Sequence, residues 1–310
     1  MKILLTGAAG FLGSACAELL RNDGHDIVTT DRTGKVDFIG DLADSSFVQR
    51  LPAVDTVVHT AAVQYASGRV PLLARQRYFY INNVGSVRSL CDRYNGTSVH
   101  FVNIGTSMMY LQCNAEKYSP ASVMRGQGVY SATKLSAQRL VEASFRRWST
   151  VVPCIIGGAG REGLFRRFVE TIQRNRAATI PGAGTHLTHM VHVHDVATLV
   201  GIIVKQAPAG FYNAGAPEPL SIVEWIREIS AHLGISAVRI RHLPLKPIHL
   251  LAAATGYRLL AREQLLMLGQ RHVLDTAQSI ALGWNPQRTN AQLVRELADH
   301  IAAAPARSTR

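Results

Sequence analysis

Glycine at positions 7, 10 and 13 constrains this chain more than any other feature, because of what flanks it. Residues 2–6 are a short β-rich apolar run that stops at Gly7. From about Gly10 to Arg21 the apolar residues Phe11, Leu12, Cys16, Leu19 and Leu20 recur at helical spacing. Strand, tight turn and helix in that order let Gly-x-x-Gly-x-x-Gly bring backbone N–H groups against a dinucleotide pyrophosphate at a helix N-terminus. Glycine-rich turns also have purely structural uses, but a place at the head of a β-α-β unit favours the ligand-binding role. Gly7, Gly10, Phe11, Leu12 and Gly13 are the first candidate cofactor contacts.

The rest of the first half repeats the alternation. Residues 27–30 form an apolar strand ending at Asp31, and further strands are predicted over 56–59, 100–104 and 150–156, with helices over 45–50, about 72–94 and 131–147. Strands alternating with helices predict an α/β fold, a Rossmann-type doubly wound parallel sheet with right-handed crossovers. After Gly157 the pattern loosens into a Gly-rich loop, a helix over about 164–174, the segment 180–184 and a strand-like 190–193. From Ser221 onward it reads mainly as helices. A dinucleotide-binding domain over 1–157 and a smaller, mainly helical substrate-binding part over 158–310 are expected. Elements at about 190–215 return to the core, and the second part caps the carboxyl edge of the sheet, where open α/β sheets bind ligands.

Composition narrows the class. The formal charge is +12, but the arginines fall in dispersed pairs such as Arg166/Arg167, Arg174/Arg176 and Arg239/Arg241. Solvated faces explain them first, an anionic substrate second and nucleic acid a distant third. Cys16, Cys91, Cys113 and Cys154 have no metal-ligand spacing and read as reduced thiols. Nothing after Met1 resembles a secretion signal, and the apolar stretch 196–204 is broken by Thr198 and Gly201, so a cytoplasmic protein without a membrane partner is expected. His186, His189, His192 and His194 suggest a metal at first sight. A strand would turn His192 and His194 to one face, but no carboxylate or cysteine completes a set, so none is expected.

Two further features point to chemistry. Asp31 closes the second strand, where its carboxylate accepts hydrogen bonds from adenosine ribose hydroxyls and repels a 2′-phosphate, favouring NAD. Arg32, next along, is placed to pair with such a phosphate and keeps NADP open. Asp41 and Leu42 follow the next strand and face the adenine, unless Asp41 only caps a helix. Tyr130 and Lys134 lie at i and i+4 on a predicted helix, so an ammonium can stabilise a phenolate whose pKa is otherwise about 10. That spacing alone is common on exposed helix faces. About a hundred residues beyond a dinucleotide fingerprint, it reads as an acid/base pair.

With these motifs the chain resembles an extended short-chain dehydrogenase/reductase of the NAD-dependent epimerase/dehydratase family over nearly its whole length. His59-Thr-Ala-Ala62 is similar to the family's HxAA segment, which implies cofactor contacts from Ala61 and Ala62, and Asn82-Asn-Val-Gly-Ser86 to its NVxGT segment, which implies one from Asn82. Ile104-Gly-Thr-Ser-Met-Met-Tyr110 resembles the strand end that carries the catalytic Ser/Thr, with Thr106 at that position and Ser107 the neighbouring alternative. The resemblance implies a triad in which Thr106 orients the substrate oxygen, Tyr130 transfers its proton, and Lys134 stabilises the phenolate while contacting the nicotinamide ribose. Cys154 and Ile156 would lie beside the nicotinamide. His194-Asp195 matches the VxVxD segment, where Asp195 starts a helix and His192 packs or meets substrate.

Departures from the family pattern matter as much. Ile155 stands where nucleotide-sugar members carry an Asn, and Thr188 stands where they carry a diphosphate-binding Arg. A standard nucleotide-diphosphate sugar is therefore not expected, although Arg161, Arg166 or Arg167 supplies a charge from elsewhere. Ser107-Met108-Met109 lacks the acidic pair that dehydratases use. The expected activity is oxidation, reduction or epimerisation at a secondary alcohol or ketone carbon of a small molecule, with Ser107, Arg161 and His192 as substrate contacts. The leucine- and proline-rich 243–252 resembles the apolar region of the 3β-hydroxysteroid dehydrogenase-like branch, which implies an apolar hydroxy or keto substrate as the alternative; core or a dimer surface explains the same leucines equally well. A nicotinamide sensor is the non-enzyme alternative. A homodimer through a four-helix bundle formed by 72–94 and 131–147 is expected.

Overall fold

A computed structural model of the chain describes residues 1–65, 70–71, 73–161, 163–257 and 261–303. The first half runs β1 (Lys2–Thr6), α1 (Phe11–Asn22), β2 (Asp26–Asp31), β3 (Phe38–Ile39), α2 (Ser45–Gln49), β4 (Thr56–His59), α3 (Arg75–Phe79), a π-helical segment (Tyr80–Gly85), α4 (Ser86–Tyr94), β5 (His100–Ile104), a 3-10 turn (Ser107–Met109), α5 (Val129–Ser144) and β6 (Arg147–Pro153). The second half runs β7 (Ile155–Gly157), α6 (Leu164–Asn175), β8 (Ala177–Pro181), β9 (Leu187–Thr188), β10 (Met190–His192), α7 (Val193–Gln206), β11 (Gly210–Ala214), β12 (Leu220–Ser221), α8 (Ile222–His232), β13 (Arg239–Leu243), α9 (Leu245–Ala254), α10 (Arg262–Gly269), α11 (Ala277–Ala281) and α12 (Asn290–Ala303).

Seven parallel strands form the central sheet in the order β11-β6-β5-β4-β1-β2-β3. Strand β1 is apolar without alternation because both its faces are covered. Leu12, Cys16 and Leu20 of α1 pack with Val196, Leu199 and Val200 of α7 on one face. Val48, Leu90 and Val141, from α2, α4 and α5, meet Phe101 on the other. The strand order reverses between β1 and β4, and that switch point opens the crevice in which such sheets bind ligands. A second core, with Val169, Ile172, Ile226, Ile229, Leu293 and Leu297 drawn from α6, α8 and α12, stands beyond the carboxyl edge.

Several boundaries differ from the sequence expectation. The predicted helix 131–147 is Val129–Ser144, because the chain turns extended at Phe145, whose ring stacks on Phe101 at 4.6 Å, and Arg147 opens β6. The predicted strand 150–156 is two strands. Pro153 has no N–H to donate, and after Cys154 the chain leaves the main sheet to pair β7 with β10. The helix expected over 72–94 begins at Arg75 and carries a π-helical turn in its middle, while Leu72 lies outside the described residues. Residues 177–181, to which the sequence assigns no element, form β8, paired in parallel with β13. The strand expected over 190–193 stops at His192, so His192 and His194 share no strand face. His192 caps α7, His194 lies in its first turn, and their rings stack at 5.1 Å.

Candidate active site

The glycine loop is pinned from below. The N–H of Gly7 donates to Thr30 O at 2.8 Å, Thr60 Oγ1 to Thr6 O at 2.7 Å, and buried His59 Nδ1 lies 2.8 Å from Thr6 Oγ1. Gly7 has φ +71°, in the left-handed region. A Cβ on Gly13 would collide with Gly7 O, so any side chain there would push the loop off α1. Helix α1 starts at Gly10 with no side-chain cap and no acidic residue in its first turn, which leaves its positive end open to an anion.

Above this loop is a cavity of about 200 Å³. Gly7, Gly10, Asp31, Arg32, Asp41, Leu42, Ala61, Ala62 and Asn82 line it, all of them sequence candidates, together with Gly40, Thr60, Val63 and Ser86, which the motifs did not single out. The Asp31 carboxylate is held at the wall by the N–H groups of Ala9 (3.1 Å) and Arg32 (2.7 Å). Arg32 reaches to Asn82, Nη1 donating to Oδ1 at 2.9 Å. An uncapped helix end, a loop that excludes side chains and a carboxylate at the end of β2 together fit a dinucleotide.

Thr106, Tyr130 and Lys134 converge at the adjoining sheet edge. Thr106 leaves the end of β5 and caps the 3-10 turn, its Oγ1 accepting from the N–H of Met108 at 3.3 Å. Tyr130 and Lys134 sit in the first and second turns of α5. All three are buried, and Thr106 lies close enough to the Tyr130 hydroxyl to favour its ionised form. Tyr65 and Phe79 hold the Tyr130 ring edge-on at 5.9 and 6.1 Å. Burial pushes the Tyr130 phenol up to about 12 and the Lys134 ammonium down to about 8. The charge that most opposes the rise at Tyr130 is the guanidinium of Arg161. Spacing alone predicts a phenol pKa depressed by Lys134, but desolvation by burial outweighs nearby charge at Tyr130.

With this geometry in view, the comparisons with known proteins are decisive at family level. The model of the NAD dependent epimerase/dehydratase family matches residues 3–215. The chain belongs to that family. It is an enzyme of the extended short-chain dehydrogenase/reductase type, with epimerase/dehydratase-type oxidoreductase chemistry. It is 24% identical over 93% of its length to 94% of the low-salt glycan biosynthesis protein Agl12 of Haloferax volcanii. It is also 23% identical over 77% of its length to 72% of a 3-beta-hydroxysteroid dehydrogenase of Mycolicibacterium neoaurum. The fold matches the UDP-glucose 4-epimerase of Thermus thermophilus, solved in complex with NAD, with a TM-score of 0.75, 20% identity and coverage of 98% and 100% of the two chains.

The remaining candidates of this family member occupy varied places. Leu12 is buried core, and Phe11 packs against Gly158 beneath Arg161. Cys154 is buried between β6 and β7, and Ile156 is half-buried against the main core. His192 is occupied within the protein, with Nδ1 accepting from the N–H of His194 and Nε2 3.0 Å from Glu296. Ser107 Oγ lies 2.7 Å from buried His272 Nε2, whose other nitrogen meets Gln112 at 2.8 Å. Arg161 donates to Gln64 at 2.5 Å. Among the described residues no metal-binding cluster of His, Cys, Asp and Glu occurs, and no helix is long and apolar enough to cross a membrane.

Proposed function

We propose that this enzyme interconverts a secondary alcohol and a ketone on a small molecule, with NAD in the crevice between the glycine loop and Asp31. Bound there, the nicotinamide would supply the hydride acceptor or donor. What carries the proposal is the buried Tyr130 beside Thr106, with Lys134 one turn along the same helix and Val63 joining the tyrosine to the glycine-loop crevice.

In this scheme Thr106 fixes the substrate oxygen and Tyr130 takes or returns its proton, a positioned acid/base contributing about 10²–10⁴-fold. Lys134 counters the phenolate, and the aromatic wall of Tyr65 and Phe79 keeps water from the tyrosine. Asp31 favours NAD over NADP through repulsion of a 2′-phosphate. The cofactor domain corresponds to 1–157 together with the returning segment that carries α7 and β11, and the substrate part to the second core. A homodimer through α3, α4 and α5 belongs to the same scheme, supported by the half-exposed Tyr80 and Ile81 on that helical face, and sedimentation velocity at a dimer mass is the expected result.

A standard nucleotide-diphosphate sugar is not the favoured substrate, because residue 155 is isoleucine and Thr188 is buried within β9. The 3β-hydroxysteroid dehydrogenase-like alternative draws support from Leu243, Leu250 and Leu251, all exposed beside the substrate part. Calorimetric titration with NAD, NADH, NADP and NADPH tests the proposal. Binding of the NAD pair at least about tenfold tighter is expected, which is about 1.4 kcal/mol. Failure of all four to bind would remove its basis.

A further inference from the structure

Arg161 stands apart from the other arginines of this chain. Its N–H donates to Gly158 O at 3.1 Å, closing a turn just after β7, and Gly158 has φ +146°. A Cβ on Gly158 would meet Phe11 Cζ, Val193 Cγ1 and His192 Nε2 at 3.2, 3.2 and 3.3 Å. The turn is thus pressed between the first residue of α1 and the start of α7, and the Arg161 side chain runs from there over Phe11. The guanidinium lies 5.6 Å over the Phe11 ring and ends on Gln64 Oε1.

Gln64 locates the head group. It lies between Val63, which packs with Phe79 and Tyr130, and Tyr65, whose ring meets Tyr130 edge-on. Arg161 therefore spans the crevice at its reactive end. Among the described residues Gln64 is the sole hydrogen-bond acceptor of the guanidinium, and no carboxylate lies within ion-pairing distance. A partly desolvated guanidinium with one neutral partner is an unusual expense in a folded protein, since cations taken from water normally meet an anion. Its planar fork suits the paired oxygens of a carboxylate or a phosphate. The chain's +12 charge draws anions to such a site.

We infer that Arg161 recognises an oxyanion carried by the substrate close to the carbinol carbon that faces Tyr130, so that the natural substrate is a hydroxy- or keto-acid or a phosphate monoester, not a neutral alcohol. The inference rests on the hydride-transfer scheme above and adds its substrate class.

The test uses the full chain saturated with NAD and measures binding of matched probes by calorimetry. D-glucuronate is paired with D-glucuronamide, 3-hydroxybutyrate with 3-hydroxybutyramide, and D-glucose 6-phosphate with D-glucose. At least one anion should bind about 10–100-fold tighter than its neutral partner, the range expected for a charge-assisted contact. Arg161→Met should abolish that preference and Arg161→Lys should restore part of it, both with NAD affinity within twofold of the parent. A carboxylate preference and a phosphate preference separate the two sources of the oxyanion. Equal binding within every pair, or no binding by any anion, overturns the inference. A fall in NAD affinity in Arg161→Met as large as the loss of anion binding also overturns it, because the guanidinium would then serve the cofactor. Failure of the parent protein to bind any nicotinamide would instead strike the hydride-transfer scheme, and is read separately.

Discussion

The carboxylate of Glu263 accepts a hydrogen bond from the backbone N–H of Ser131 at 3.2 Å, across 132 positions of sequence, in the first turn of the helix that carries Tyr130 and Lys134. The same oxygen accepts from the Tyr65 hydroxyl at 2.7 Å, and Tyr65 in turn accepts from the N–H of Tyr130 at 3.2 Å. The other carboxylate oxygen is buried without a partner among the described residues. A negative group at a helix N-terminus is stabilising, but the same charge opposes ionisation of Tyr130. Glu263 thus ties α10 to the helix bearing the catalytic candidates and also adds to the burial that keeps the phenol protonated.

Neutralising that charge should act on the titration of Tyr130 in a definite direction. Glu263→Gln keeps most of the shape and removes the repulsion, so the Tyr130 pKa should fall and the acidic limb of turnover in the oxidative direction should move to lower pH. An unmoved limb, from pH profiles of kcat for parent and variant, would rule out electrostatic control from this position. Gly128→Ala is the packing counterpart. A Cβ there would collide with the unpartnered Glu263 oxygen, so the carboxylate must be displaced, with a loss of about 1–3 kcal/mol in stability from chemical denaturation.

Tyr130→Phe should lower turnover by about 10²–10⁴-fold while leaving NAD affinity within twofold, because the ring keeps its packing against Tyr65 and Phe79 and only the proton carrier is lost. Lys134→Met should reduce both turnover and NAD affinity if the ammonium contacts the cofactor as well as countering the phenolate. Calorimetry and steady-state rates on the same preparations separate the two. Retained turnover in Tyr130→Phe would sink the acid/base assignment.

Asp31 makes cofactor choice testable. Its oxygens are already oriented by Ala9 and Arg32, so they meet a ribose diol without reorganisation. Asp31→Ser should weaken NAD by about 10–100-fold, as expected for losing hydrogen bonds to a charged acceptor. It should also remove the carboxylate's repulsion of a 2′-phosphate beside Arg32 and narrow the gap to NADP. Titration of both cofactors measures the ratio, and an unchanged ratio would show that Arg32 remains committed to Asn82.

The parts of the fold and site visible in the sequence are those written at short range. Gly7, Gly10 and Gly13 lie within one loop, and Tyr130 and Lys134 within two turns, so strand-turn-helix and i to i+4 logic suffices for them. Of the crevice wall, Asp31 and Asp41 are legible from their places after strands, and Ala61 and Asn82 only from motif resemblance. Glu263 on Ser131, His272 on Ser107 and Arg161 on Gln64 join residues 132, 165 and 97 positions apart, and no local pattern encodes such meetings. Sequence reasoning carries the strand one residue past His192 and sets His194 on the same face, because a three-residue strand running directly into a helix carries too short a period to read. The break at Cys154 escapes it for a similar reason, since β6 and β7 are one continuous apolar run in sequence although they join different sheets.

Acid stability follows from four buried imidazoles. Burial holds His59 down to about 3 and His100, His189 and His272 down to about 4, from an ordinary value of 6.5. In the unfolded chain these groups protonate near pH 6.5, while in the native protein they stay neutral until about pH 4. Between those limits the unfolded state binds more protons, so stability falls as pH falls. Their contribution is fully present above about pH 6.5 and is lost on the way down to about pH 4, at up to about 1.4 kcal/mol per pH unit for each histidine. The melting temperature should therefore be nearly level around pH 7 and drop steeply below about pH 6. His100 is the cleanest site to isolate, because it lies at the start of β5, at the end of the strand remote from Thr106, and its Nε2 meets Ser149 Oγ at 2.8 Å. His100→Gln should reduce the proton uptake on unfolding between about pH 6 and 4.5 by close to one. If the slope of stability against pH is the same in parent and variant, His100 is charged in the native state and its burial has been overcome by its surroundings.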